Sequence, residues 1–204
     1  NITASTGIDA MVHAIEAYTS INPNNNPISK MLSIEALKFL GSSIKTAVFE
    51  GHNINARSNM LFGSMLAGKA FANSPVAAVH ALAYPIGGLF NISHGLSNSL
   101  VLTSVMKFNS KNEETKKNYA HLAPYVFKNL DNSKNDEFLC NNFIDGLERL
   151  CKELNLPYRL RDLEIPEEAC KLMASEAMKQ TRLLVNNPRK IEESDAFNIY
   201  KSVW

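Results

Sequence analysis

Asp9 and His13 stand four residues apart in a stretch, Asn1 to Ile15, where Asp9 is the only charged residue. On a helix that spacing puts both on one face, a turn apart. A carboxylate in an otherwise apolar helix is costly unless it is paired or binds a cation. Asp-to-His pairs at this spacing serve as metal ligands, hydrogen-bonded caps and core contacts alike, so the pair alone decides little. A second stretch changes the weighing. From Ala70 to Met106 there is no Asp, Glu, Lys or Arg, although 20% of the chain is charged, and that stretch holds His80 and His94. One carboxylate and three imidazoles carry a single net negative charge, which suits a borderline divalent ion such as Fe²⁺ or Zn²⁺. Ca²⁺ or Mg²⁺ would require more oxygen ligands. Glu16, three residues past His13 on the same face, reads as a further ligand or as an acceptor behind the ligands, and ranks below the other four. His52, in a Gly-His-Asn connection, and His121, among polar residues, read as ordinary surface or partly buried histidines.

The elements that must carry these residues read as helices almost throughout. Apolar spacing predicts helices over 7–20, over 27–49 with a point of bending at Gly41-Ser42-Ser43, and over 55–71, where Met60, Leu61, Met65 and Leu66 recur at helical intervals. A fourth helix is expected after Pro75, broken near Tyr84 by Pro85 and Gly87-Gly88. A fifth follows His94-Gly95 and runs through Met106. The charge-free stretch is too interrupted by Pro, Gly, Asn and Ser for a membrane span, and is expected as a deeply buried helix pair with a broken connection. Amphipathic helices are expected over 113–128, 135–154, 166–184 and 194–203, the last capped by Ser194. No alternating run supports a sheet, so the fold class is all-α.

Composition narrows the function. With 204 residues the chain is long enough for one domain with a sizeable core. Its net charge of +1 gives no electrostatic footprint for nucleic acid or an acidic membrane. Hydrophobic residues at 45% exclude a disordered chain. Cys140, Cys151 and Cys170 show no paired spacing and read as reduced core thiols of a cytoplasmic protein. The chain opens at Asn1 with no basic or apolar leader, so no signal peptide is expected, and it reads as part of something longer.

The residues from Thr3 to Tyr18 resemble the segment that opens the helical domain of the iron-containing (group III) alcohol dehydrogenases. Val79-His80-Ala-Leu-Ala-Tyr84-Pro-Ile-Gly-Gly88 with Ser93-His94-Gly95-Leu96 is similar to that family's second signature. Gly68-Lys-Ala-Phe71-Ala-Asn73 and Asn187-Pro188-Arg189 also match, so the resemblance covers essentially the whole chain. It implies that Asp9, His13, His80 and His94 hold a divalent metal, usually iron, acting as a Lewis acid on the alcohol or carbonyl oxygen as hydride passes to or from NAD or NADP. It implies an N-terminal Rossmann-like nucleotide domain followed by an all-helical metal domain, with the site in the cleft between them, and a homo-oligomer at full length. Phe71 matches an aromatic of the substrate pocket, though core packing explains it equally well. Tyr84 stands where the family often has a further histidine on the proton path. Leu102-Thr103-Ser104-Val105 departs from the family's Leu-Pro-His-Val, and nothing in the sequence explains it.

No strand followed by a glycine-rich phosphate turn is present. The expectation is therefore that residues 1–204 form the metal-binding domain of a two-domain enzyme, interconverting a primary or secondary alcohol and its aldehyde or ketone, inactive without its nucleotide-binding domain. Two alternatives stay open: a domain of a glycerol dehydrogenase-like or dehydroquinate synthase-like metalloenzyme, and a helical metal-binding module with no chemistry of its own.

Overall fold

The computed structural model describes residues 2–204, and every regular element among them is helical. In order these are α1 (Ile2–Thr19), α2 (Pro27–Phe49), α3 (Ile54–Asn73), α4 (Ala78–Phe90), α5 (His94–Asn109), α6 (Glu113–Val126), α7 (Asp136–Glu153), a 3-10 turn (Leu160–Leu163), α8 (Ala169–Met178), α9 (Thr181–Leu184) and α10 (Glu193–Ser202). The all-α expectation holds. Among the described residues no helix is long and apolar enough to cross a membrane.

Helix α1 is the axis of the fold. Thirteen of its 18 residues are buried, and it packs against α2, α3, α5 and α6. Gly7 shows why a small residue is needed there: a Cβ would stand 2.8 Å from Met60 Cε and 2.9 Å from Ile44 Cδ1. The helix begins at Ile2, not at Gly7 as expected. Ser5 and Thr6 explain the difference, because their hydroxyls donate back to the Ile2 carbonyl at 3.1 and 2.9 Å. Residue types that often favour turns are thereby satisfied inside the first helical turn.

Helix α2 has the expected bounds. Asn26 caps it, accepting from the Ile28 and Ser29 N–H groups, Ser29 closes the capping box, and Pro27 sits in the first turn. The Gly41-Ser42-Ser43 step is uninterrupted helix; Gly41 is needed for a close approach, since a Cβ there would lie 3.0 Å from Val126 Cα. In α3 only Leu66 of the four spaced apolar residues is buried, while Leu61 and Met65 are 76% and 43% exposed.

The expected break at Tyr84 is absent. Helix α4 passes through Pro85 and both glycines and ends at Asn91, which takes the left-handed conformation (φ 56°). Pro85 removes one backbone bond to the preceding turn, but it is buried among Leu82, Ala83 and Ile86 of the charge-free core, and packing holds the helix past it. The pair α4–α5 is buried as expected along most of its length, yet the connection around Asn91, Ser93 and His94 is exposed. Toward the C-terminus the helix expected over 166–184 is two, α8 and α9, separated where Gln180 leaves the helical region (φ −82°, ψ 48°). The cap of α10 is Glu192, paired reciprocally with Asp195, in place of Ser194.

The segment after α9 ties the tail to the rest. Asn109 and Asn187 exchange two amide hydrogen bonds at 3.0 and 2.8 Å. Arg189 donates to the Phe108 carbonyl and lays its guanidinium 3.7 Å from the Phe108 ring centre. Asn187-Pro188-Arg189 thus fastens the chain to the end of α5.

All three cysteines are free and buried. Burial pushes the Cys140 thiol up to about 11 and the Cys151 thiol up to about 12, and it raises Cys170 as well. The thiolate is the reactive form. A thiol reagent at pH 8 is therefore expected to label none of the three in the folded protein and all three in guanidinium. Rapid labelling of the folded chain would contradict the core-thiol reading.

Candidate metal centre

Three helices bring four side chains to one point. Asp9 and His13 come from the middle of α1, His80 from the first turn of α4, and His94 from the first residue of α5. One ligand-capable atom from each lies within 4.8 Å of those of the others. The Nε2 atoms of His80 and His94 stand 3.8 and 3.6 Å from Asp9 Oδ1. Four ligands at about 2.1 Å around one tetrahedral ion lie about 3.4 Å apart, so the cluster needs only a small contraction to hold one.

Hydrogen bonds behind the cluster fix which nitrogens face it. His13 Nδ1 lies 2.8 Å from the Asp9 backbone carbonyl; a carbonyl only accepts, so Nδ1 carries the proton and Nε2 the lone pair. His80 Nδ1 donates in the same way to Glu16 Oε2 at 2.7 Å. This leaves His80 Nε2 buried with no hydrogen-bond partner among the described residues. A buried nitrogen with a free lone pair, backed by a carboxylate on its other nitrogen, is what a metal-ligating histidine requires. Burial, and then the neighbouring His80, push the His13 pKa below its usual value, against the opposing pull of Asp9. The neutral, ligating form is favoured.

Glu16 is placed as an acceptor behind the cluster. Besides His80 Nδ1 it accepts from the backbone N–H groups of Ala77 (3.0 Å) and Val79 (2.6 Å). Helix α4 has no side-chain cap of its own at Ala77, and the Glu16 carboxylate, reaching across from α1, meets the N–H groups that a helix start leaves open.

Helix α5 is pressed onto α1 at Gly95. A Cβ there would lie 2.5 Å from the Ser5 carbonyl oxygen and 3.3 Å from Asp9 Cβ; any larger residue would lift His94 away from Asp9. One turn on, Asn98 donates from Nδ2 to Asp9 Oδ1 at 2.6 Å. Sequence reasoning missed Asn98, although a polar amide one turn past His94 in a charge-free stretch was the available signal. The Phe71 ring packs 4.7 Å from the His13 ring, partly exposed, and the Tyr84 ring lies 6.0 Å from that of His94. The Tyr84 hydroxyl makes no hydrogen bond among the described residues; the tyrosine that does bond a carbonyl here is Tyr200, to Leu82 at 2.6 Å. His52 and His121 are exposed and outside the cluster. With Asp9 at 18% and His94 at 48% side-chain exposure, the centre sits on an open face of the domain.

The family described as Fe-containing alcohol dehydrogenase, C-terminal, matches residues 3–204. The chain belongs to the iron-containing alcohol dehydrogenase family. Within that family it is 38% identical to a long-chain-alcohol dehydrogenase of Geobacillus thermodenitrificans and 34% identical to a 1,3-propanediol dehydrogenase of Citrobacter freundii, in both cases over the whole of this chain. It spans about half the length of these curated relatives, 50% and 51%. The fold superposes on a solved 1,3-propanediol oxidoreductase with a TM-score of 0.92 at 31% identity, covering 98% of this chain and 51% of the other. An alcohol dehydrogenase from Oenococcus oeni gives 0.91 at 33% identity, covering 99% and 51%. The all-helical architecture is that of the family's C-terminal domain.

Glu16→Gln tests the support behind His80. The amide can no longer accept on both sides, and where its NH₂ faces His80 the imidazole must move its proton to Nε2. Divalent-metal affinity, read by competition with a chromogenic chelator, is expected to fall about 10–100-fold. Denaturant unfolding of the metal-free chain should show a loss of about 1–3 kcal/mol. Unchanged affinity would remove Glu16 from the site.

Proposed function

We propose that residues 1–204 are the metal-binding helical half of an NAD(P)-dependent alcohol dehydrogenase, with Asp9, His13, His80 and His94 holding one divalent ion, Fe²⁺ in preference to Zn²⁺. The observation that carries this reading is the buried, unpartnered His80 Nε2 aimed at Asp9 Oδ1, with Glu16 fixing its tautomer. Bound there, the ion supplies a Lewis acid for the oxygen of an alcohol or carbonyl. The chain's own residues do the rest. Phe71, against His13, forms an apolar wall for the carbon skeleton of a small alcohol or aldehyde. Tyr84, whose ring stands 6.0 Å from that of His94, relays the alcohol proton, its phenolic oxygen accepting it as the hydroxyl's own proton passes to water, and the reverse in the other direction. The hydride carrier, NAD or NADP, belongs to a nucleotide-binding half that precedes these residues in the full enzyme, so the 204 residues alone turn over no alcohol. A module with no chemistry is disfavoured by the open side at His94, since a purely structural ion is enclosed. The glycerol dehydrogenase-like and dehydroquinate synthase-like alternatives, whose resemblance implies an ion with three protein ligands, are disfavoured because four side chains converge here.

The direct test is metal analysis of the purified chain loaded with Fe²⁺ or Zn²⁺. One ion per chain is expected, with a chelator-reversible rise in thermal stability; at 100 times the dissociation constant the ion should add about 2.7 kcal/mol. Asp9→Ala and His80→Ala should abolish both. Tight binding that survives both substitutions would place the ion elsewhere.

Tyr84→Phe, made in a chain that carries the nucleotide-binding half, removes the hydroxyl and keeps the ring. A proton-transfer role predicts a fall in kcat of about 10²–10⁴-fold with an altered pH profile. An unchanged kcat and pH profile would leave Tyr84 as a packing residue.

A further inference from the structure

Asn98 is fully buried on α5, one turn beyond His94, in the charge-free stretch. Its Nδ2 is 2.6 Å from Asp9 Oδ1 and 3.2 Å from His94 Nε2, while its own Oδ1 is buried with no hydrogen-bond partner among the described residues. An unsatisfied buried carbonyl is costly. Turning the amide over would not relieve it, because that would set oxygen against the Asp9 carboxylate at the same short distance. The carboxylate fixes the amide with its NH₂ inward, and the protein retains the orphaned oxygen as the consequence. Such an arrangement favours the geometry of Asp9 over local stability.

Resting on the metal reading above, we propose that Asn98 is a positioning residue for two of the ligands. One N–H holds Asp9 Oδ1 and so sets the rotation of the carboxylate. The other donates to His94 Nε2, which fixes the His94 proton on Nδ1 and keeps the Nε2 lone pair turned inward. A lone pair on His94 Nε2 serves either the amide N–H or an ion. Ion binding therefore exchanges the His94 hydrogen bond for a ligand bond, while the hydrogen bond to Asp9 persists. The two N–H groups of one amide thus have different fates.

The test has two arms. In the first, Asn98→Leu keeps the side-chain size and removes both donors. The Zn²⁺ affinity should fall about 10–100-fold, and the visible spectrum of the Co²⁺-loaded chain should change as Asp9 and His94 reorient. A residue that merely fills space would leave both at the wild-type values. In the second arm, which needs no variant, the ¹⁵N-labelled wild-type chain is titrated with Zn²⁺ and the Asn98 side-chain amide is followed by NMR. One amide proton should keep its carboxylate-bonded shift while the other moves. Both protons unmoved by a Zn²⁺ that binds the chain would overturn the proposal, as would wild-type affinity and spectrum in Asn98→Leu. A wild-type chain that takes up neither Zn²⁺ nor Co²⁺ would instead sink the metal reading itself, and this inference with it.

Discussion

The Glu16 carboxylate, buried in the core, is the constraint from which the centre is built. An ionised group in that position is tolerable only with its oxygens fully met by donors. The donors are the Ala77 and Val79 N–H groups and His80 Nδ1, all more than 60 residues away in sequence. Satisfying Glu16 therefore fixes where α4 begins, how it is turned about its axis and which nitrogen of His80 faces Asp9. The loop that enters α4 is held on its other sides by Ser74, whose hydroxyl donates to the Ala17 carbonyl at 2.6 Å, and by Asn186, whose amide donates to the Val76 carbonyl at 3.0 Å. Each anchor lies outside the ligand set, yet each bears on where His80 stands.

Helix α1 joins the core to the chemistry. Its buried sides carry Ile8, Met11, Val12 and Ile15 against the neighbouring helices, while Thr6, Asp9 and His13 lie along its less buried side. Because protein interiors are close-packed, the buried sides leave the helix little freedom, and Asp9 and His13 inherit that rigidity. The contact at Gly95 acts likewise: α5 meets α1 without a Cβ between them, so His94 and Asp9 are brought together by backbone packing. Positions set by helices in this way are more exact than positions set by loops.

Much of this was legible because charge is informative by its absence. The uncharged run from Ala70 to Met106 marks α4 and α5 as core, and the four-residue spacing from Asp9 to His13 marks one face of α1. What was not legible depended on distant partners. Pro85 reads locally as a stop, and only the packing of α4 shows that it is not. Glu16 could be ranked as ligand or acceptor, but its role rests on backbone N–H groups that no side-chain pattern announces. Asn98 is one of many asparagines until α5 is laid against Asp9. Leu61 and Met65 repeat at helical spacing like core residues and yet are exposed, because spacing identifies an apolar face without saying what covers it.

That exposed face bears on how such a centre can work. A Lewis acid polarises a carbonyl or alcohol oxygen most strongly where water is excluded and the local dielectric is low. Here the inner side of the centre is dry, with His80 and Glu16 nearly inaccessible, but Asp9 and His94 are open to solvent. The Phe71 ring lies against His13 at the edge of the opening. Four polar side chains with an aromatic ring at their edge and solvent on one side form an open face rather than a finished pocket. In relatives twice this length, a second half of the chain is available to cover such a face. Within the described residues the geometry of the four side chains is set in advance, through Glu16, Gly95 and Asn98. With Asp9 18% and His94 48% exposed, excluding water from this side needs a covering surface that residues 2–204 do not supply.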